Sequence, residues 1–231
     1  MRVLLLPGMD GSGRLHDTFT AAMAPRFRVE IVAYPGDRIL DYRQLQAFVT
    51  ERLPRDAPFL LIGESFSGPI AIRIAASRPS GLAGLVLCAT FAASPRPWLG
   101  YLQPLLALPL PLPPARMLMP AMMGRWTTRD WTRREQAALD ALPAAVARAR
   151  LSEVLRVDAT SDLDHIRVPT LYLQASHDWL VPPRCWREIH ARLPHAKRVR
   201  LRGPHFLLQH QPVRAARAAQ RHFAERFDLH R

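Results

Sequence analysis

The sequence predicts an α/β protein built on a mostly parallel sheet of about six strands, with helices covering both faces. Three observations carry this. Short apolar runs bounded by Gly and Pro recur along the chain, longer segments between them repeat apolar residues every three to four positions, and most of the runs are apolar throughout. Unbroken apolar strands separated by amphipathic helices are what a parallel sheet buried on both faces requires. With 231 residues and 48% apolar content the chain can build one large core, which excludes disordered, collagen-like and disulfide-scaffold classes.

The predicted strands are Arg2–Leu6, Arg28–Tyr34, Phe59–Gly63, Gly84–Cys88, Thr170–Gln174 and Lys197–Leu201. The last alternates, Lys-Arg-Val-Arg-Leu, and suits an exposed sheet edge. The intervening helices are predicted over His16–Met23, Tyr42–Leu53, Gly68–Ser77, Pro183–Leu193 and Pro212–Phe227. No strand is predicted between Cys88 and Thr170, where Pro, Met and Trp accumulate. A crossover of that length needs structure of its own. Residues 1–91 and 169–231 are therefore expected to form the core, and 92–168 a helical lid inserted before the fifth strand.

The formal charge is +13, yet charged residues make up an ordinary 22%, and Lys197 is the only lysine. Scattered arginines of this kind read as genome composition, so no nucleic-acid partner is expected. Cys88 and Cys185 lie far apart without metal-ligand spacing, which points to inert thiols, no disulfide and no metal site. Val3–Leu6 is too short for a signal peptide, and Leu105–Met123 is interrupted by Pro109, Pro111, Pro113, Pro114, Arg116 and Pro120. A cytoplasmic protein without stable membrane insertion is the expectation.

The segment richest in chemistry is Leu60-Leu61-Ile62-Gly63-Glu64-Ser65-Phe66-Ser67-Gly68, a buried strand running through small residues into a helix. Such a turn strains the serine, lifts its Oγ above the sheet and aims a helix N-terminus at the reacting centre. A serine nucleophile needs a base, and the base needs an acid that fixes its tautomer. His205, in Gly203-Pro204-His205 after the last strand, and Asp178, after Leu171–Gln174, both fall at carboxyl ends of strands, where active-site crevices open. Asp158, Asp162 and Asp164 precede that strand, at the wrong end of the sheet. His16, His190, His195, His210, His222 and His230 are expected to be solvated, and His177 structural.

The order Ser65, Asp178, His205 resembles that of the α/β-hydrolase family, and the resemblance extends over essentially the whole chain. Two departures stand out: Ser67 replaces the usual glycine of G-x-S-x-G, with Gly68 after it, and Pro7 stands where the family often has histidine before its oxyanion donor. Pro7-Gly8-Met9-Asp10-Gly11-Ser12-Gly13 is similar to the family's oxyanion loop, which implies an oxyanion hole from the backbone N–H groups of Met9 and Phe66. The same loop does not match the G-x-G-x-x-G of dinucleotide sites. The two P-G-M-D-G-S-G and G-E-S-F-S-G segments look like small esterase or lipase-like members. The family's two usual leading strands have no room before Arg2, so a minimal sheet is expected.

The resemblance implies a cofactor-free serine hydrolase that cleaves small acyl esters through an acyl-enzyme. Thioester cleavage or acyl transfer on coenzyme A or carrier-protein substrates is the alternative, since Arg125, Arg129, Arg133 and Arg134 give the lid a basic side. A catalytically silent binding protein is the reading from another class. Trp98, Met122, Trp126 and Trp179 are the expected pocket residues, although Met and Trp would equally serve to bury the lid.

Overall fold

A computed structural model describes residues 1–24, 26–106, 108 and 113–224, apart from the side chains of 115, 116, 118 and 121. Pro109, Pro111, His230 and the end of the predicted last helix lie outside the described residues.

Chain order runs β1 (Arg2–Leu6), α1 (Asp17–Met23), β2 (Arg28–Ile31), α2 (Tyr42–Thr50), β3 (Phe59–Glu64), α3 (Gly68–Ala76) and β4 (Leu82–Cys88). The segment between the fourth and fifth strands carries α4 (Gln103–Leu106), α5 (Ala115–Met123), α6 (Arg129–Asp140) and α7 (Ala144–Arg156). Then follow β5 (Thr170–Ala175), α8 (Pro183–Arg192), β6 (Lys197–Leu201), α9 (Leu207–His210) and α10 (Pro212–Ala224). The six strands form one sheet in the order β2-β1-β3-β4-β5-β6, every pair parallel.

Side-chain alternation splits the core in two. Leu4, Leu6, Leu61, Leu85 and Leu87 face one layer with α2, α3 and α8, while Val3, Leu5, Leu60, Ile62, Val86 and Leu171 face the other with α1 and α10. Each such buried side chain contributes about 1.5–3 kcal/mol relative to exposure, so the apolar runs of the sequence are also its main source of stability.

β2 ends three residues earlier than the sequence predicts. The Val32 N–H still donates to the Leu5 carbonyl, but the Tyr34 N–H turns to the Gly11 carbonyl, so the chain leaves the sheet to brace the loop after β1. At the other edge β6 is exposed, as its alternation predicts. Both ends of the long helical segment are tied together: Ala93 pairs with Asp158 in an antiparallel bridge, flanked by bonds from Ser94 N to Val157 O and from Ala159 N to Ala92 O. Among the described residues no helix is long and apolar enough to cross a membrane. Cys88 and Cys185 are free and buried, and burial pushes the Cys185 thiol up to about 12.

Candidate active site

Ser65 follows β3 directly, with φ of 48°, a left-handed conformation that a non-glycine residue holds only under strain. A neighbouring strand supports it. Thr90 donates its hydroxyl to the Ser65 carbonyl, and Tyr172 on β5 donates to the Thr90 carbonyl at 2.6 Å. A Cβ at Gly68 would overlap the Thr90 side chain, so the close approach that glycine permits is used here at position 68. Position 67 can therefore carry a side chain. The buried Ser67 hydroxyl donates to the Pro7 carbonyl and accepts from the Tyr34 hydroxyl, linking the serine turn to the end of β1.

His205 Nε2 lies 2.7 Å from Ser65 Oγ, and His205 Nδ1 lies 2.8 Å from Asp178 Oδ2. Nδ1–H donates to the carboxylate, which leaves Nε2 to accept from the serine hydroxyl. Asp178 is itself held by the N–H groups of Leu180 and Val181, which donate to Oδ1 at 3.0 and 2.8 Å. Burial alone would lower the His205 pKa, but the charge and hydrogen bond of Asp178, with Glu64 and Glu135 beyond, outweigh it and raise the pKa above 6.5. Asp158, by contrast, accepts from Thr160 on the surface, far from any such relay.

The loop after β1 is shaped from outside. Arg150 of α7 is 2% exposed, and its guanidinium donates to the carbonyls of Met9, Asp10 and Pro35, each at 2.9 Å. Gly11 has φ of 73°, and a Cβ there would overlap the Arg150 guanidinium. The planar fork satisfies three carbonyls at once, which a lysine could not reproduce.

A cavity of about 690 Å³ opens over Ser65 and His205. Met9 and Phe66 line it, as do Met122 and Trp179. Trp98 and Trp126 are not among its lining residues. Trp98 is 54% exposed, and Trp126 packs beside Met119 and Met123 with its ring between His177 and His210. Composition marks aromatic side chains but not the helix face that carries them. Arg125, Arg129, Arg133 and Arg134 are solvent-exposed, the last two paired with Asp130. Among the described residues no cluster of three or more His, Cys, Asp or Glu side chains could hold a metal ion.

One histidine departs from expectation. His16 is 1% exposed, with Nδ1 3.1 Å from the Gly13 carbonyl and Nε2 2.6 Å from Glu64 Oε2; Gln209 donates to the same oxygen at 3.2 Å. Burial opposes both charges, yet the mutual attraction wins, raising His16 and lowering Glu64, so the two form a buried ion pair behind the serine turn. Its signal in the sequence is Glu64 itself, since a carboxylate between a buried strand and its turn demands a partner. His210 and His222 are also half-buried rather than solvated, while His190 and His195 are exposed.

A doubly wound parallel sheet with a strained serine on a strand-to-helix turn defines an α/β-hydrolase. Residues 32–205 match the serine aminopeptidase S33 family, and the chain belongs to that family. Similar solved structures include a hydrolase from Pseudomonas aeruginosa PA01 (TM-score 0.82, 20% identity, 96% of this chain and 89% of that one). An enol-lactonase from Burkholderia xenovorans LB400 has TM-score 0.73 and 18% identity over 96% of this chain and 90% of its own. A thermophilic esterase from Thermogutta terrifontis has TM-score 0.73 and 22% identity, covering 96% and 88%. In sequence, the chain is 29% identical to polyketide synthase ThaQ of Burkholderia thailandensis over 87% of its own length, and it spans 11% of ThaQ.

Proposed function

We propose that the protein is a serine hydrolase of carboxylic esters. The observation that carries this is the Ser65–His205–Asp178 relay, at 2.7 and 2.8 Å, at the floor of an apolar cavity. Ser65 Oγ attacks the ester carbonyl carbon while His205 Nε2 takes its proton. The carbonyl electrons move onto an oxygen held by the Met9 and Phe66 N–H groups, donors typically worth a few kcal/mol each. Collapse expels the alkoxide, which leaves as the alcohol after taking the proton from Nε2, and water repeats the sequence on the acyl-enzyme. Asp178 orients the imidazole and stabilises its cation. Residues 92–168 act as the lid. A fluorophosphonate probe should label wild-type Ser65, and absence of labelling in folded protein would favour a silent binding protein instead.

Since His205 must be neutral to act as base and its pKa is raised, kcat/KM should climb with pH through a midpoint above 6.5 and then level off. A midpoint below 6.5 in a pH–rate profile would contradict that coupling to Asp178.

The apolar cavity also sets a chain-length trend. Each methylene buried should contribute roughly 0.8 kcal/mol at most, so kcat/KM for p-nitrophenyl esters should rise from acetyl to a medium-chain optimum and fall beyond it. Thioester cleavage by the same triad is the second reading, favoured by the match to ThaQ and by the exposed arginines of α6. Under that reading acyl-CoA turnover exceeds that of the matching ester and falls steeply with added salt as the arginines are screened. Flat chain-length dependence together with that salt sensitivity would replace the ester reading.

A further inference from the structure

Helix α6 sets a carboxylate where its packing calls for an apolar side chain. Arg133, Arg134 and Ala137 face solvent, whereas Glu135 and Ala138 are buried and Leu139 lines the cavity. Glu135 is 6% exposed and lines the same cavity as Ser65 and His205; its Oε2 is closed off from solvent and has no hydrogen-bond partner, so a ligand in the cavity reaches it once the carboxylate turns about its last side-chain bond. A buried acceptor without a partner typically costs about 1–3 kcal/mol, and leucine at this position would avoid that cost. Such a penalty persists where a ligand supplies the missing bond.

We propose that Glu135 is a specificity residue for the acyl group, and that the preferred substrates carry a hydroxyl part way along an otherwise apolar chain. This rests on the ester-hydrolase reading and names its substrate class. The remaining walls are largely Leu, Met, Phe and Val, among them Leu139, Leu151, Val154, Leu155 and Met122, so most of the chain is held by burial. An acidic substituent is disfavoured because Asp10, Glu64 and Asp140 line the cavity as well, against one arginine, Arg96, whose guanidinium already donates to the Trp179 carbonyl. Burial first, then the charges of Asp10 and Glu64, push the Glu135 carboxyl up to about 7, with His205 opposing. Near neutrality the group is thus an incomplete counter-charge for an ammonium. A hydroxyl suits both forms: it donates to the carboxylate and accepts from the carboxylic acid. Sites that bond a substrate hydroxyl discriminate sharply against analogues lacking it, because the site's own polar group is otherwise left unpaired.

The test compares p-nitrophenyl octanoate with its monohydroxylated relatives, the hydroxyl moved along the chain and the spontaneously lactonising positions left out. For the wild-type protein one hydroxyl position should give kcat/KM about 10–100-fold above octanoate, below the largest discriminations that hydroxyl-binding sites reach because one flexible chain makes one bond. Glu135→Gln, which keeps a donor and an acceptor, should retain much of that ratio, and Glu135→Leu should reduce it to one or less. The ratio is internal to each variant, so a common loss of activity cancels. Calorimetric binding of the matching methyl esters to Ser65→Ala protein, with and without Glu135→Leu, reads the same preference without turnover. Preference in binding with no turnover by the wild-type protein supports the role of Glu135 while removing the hydrolase reading. Turnover of octanoate with no hydroxyl position favoured, or a ratio unchanged in Glu135→Leu, overturns the proposal.

Discussion

Replacing Ser65 with alanine is expected to lower kcat by on the order of 10⁴–10⁶, by analogy with serine triads in which nucleophile and base act as a unit. The substitution removes the atom that bonds to the acyl carbon and leaves His205 Nε2 without the hydroxyl whose proton it takes as base. It should not unfold the protein, because the Ser65 backbone is held by the Thr90 hydroxyl and by β3 rather than by its own side chain. Some strain at φ of 48° remains with alanine, so no large gain in stability is expected either. Thermal unfolding and single-turnover kinetics check both halves, and near-wild-type turnover in a folded variant would discard the covalent mechanism.

Asp178→Asn is expected to cost about 10⁴ in kcat, as in the protease precedent for a triad acid changed to its amide. The amide keeps the shape of the side chain and could still accept from the Leu180 and Val181 N–H groups. It loses the charge that raises the His205 pKa and can stabilise the wrong tautomer by donating to Nδ1. The rate should therefore fall together with a lower midpoint in the pH profile. Asp158→Asn and Asp162→Asn, in the segment that leads into β5, serve as controls. If either of these is the crippling change and Asp178→Asn is mild, the acid has been assigned wrongly.

Much of this architecture was legible in the sequence because its strands lie inside a two-sided core. An apolar run bounded by glycine or proline has few other readings, and β1, β3, β4 and β5 were of that kind. β2 was harder: as an edge strand it alternates between exposed and half-buried positions, and where it ended depended on Tyr34 finding the Gly11 carbonyl. The serine, acid and histidine stood out because each follows a strand, so position along the chain already specified an end of the sheet. His16, Glu135 and Arg150 did not stand out. Each lies in or next to a helix whose local sequence reads as an ordinary amphipathic surface, and only the packing of distant segments around it reveals that it faces inward. The sequence is equally blind to which way a helix or loop side chain turns, and so does not separate Met122 and Trp179, which line the cavity, from Trp98 and Trp126, which do not.

The bonds that assemble the site span most of the polypeptide. Ser65 and His205 are 140 positions apart, and Arg150 is separated from Met9 by 141. During synthesis the serine turn and the loop after β1 emerge long before the residues that organise them. A nascent chain that has reached the end of β4 carries the hydroxyl of Ser65 without a base, and a Met9 loop whose carbonyls have only water to bond. On the proposed mechanism, its serine is then no more nucleophilic than any other alcohol. The reactive centre thus matures late, once the final strand and its histidine have joined the sheet, and an unfinished chain has no means of acylating itself on the ribosome.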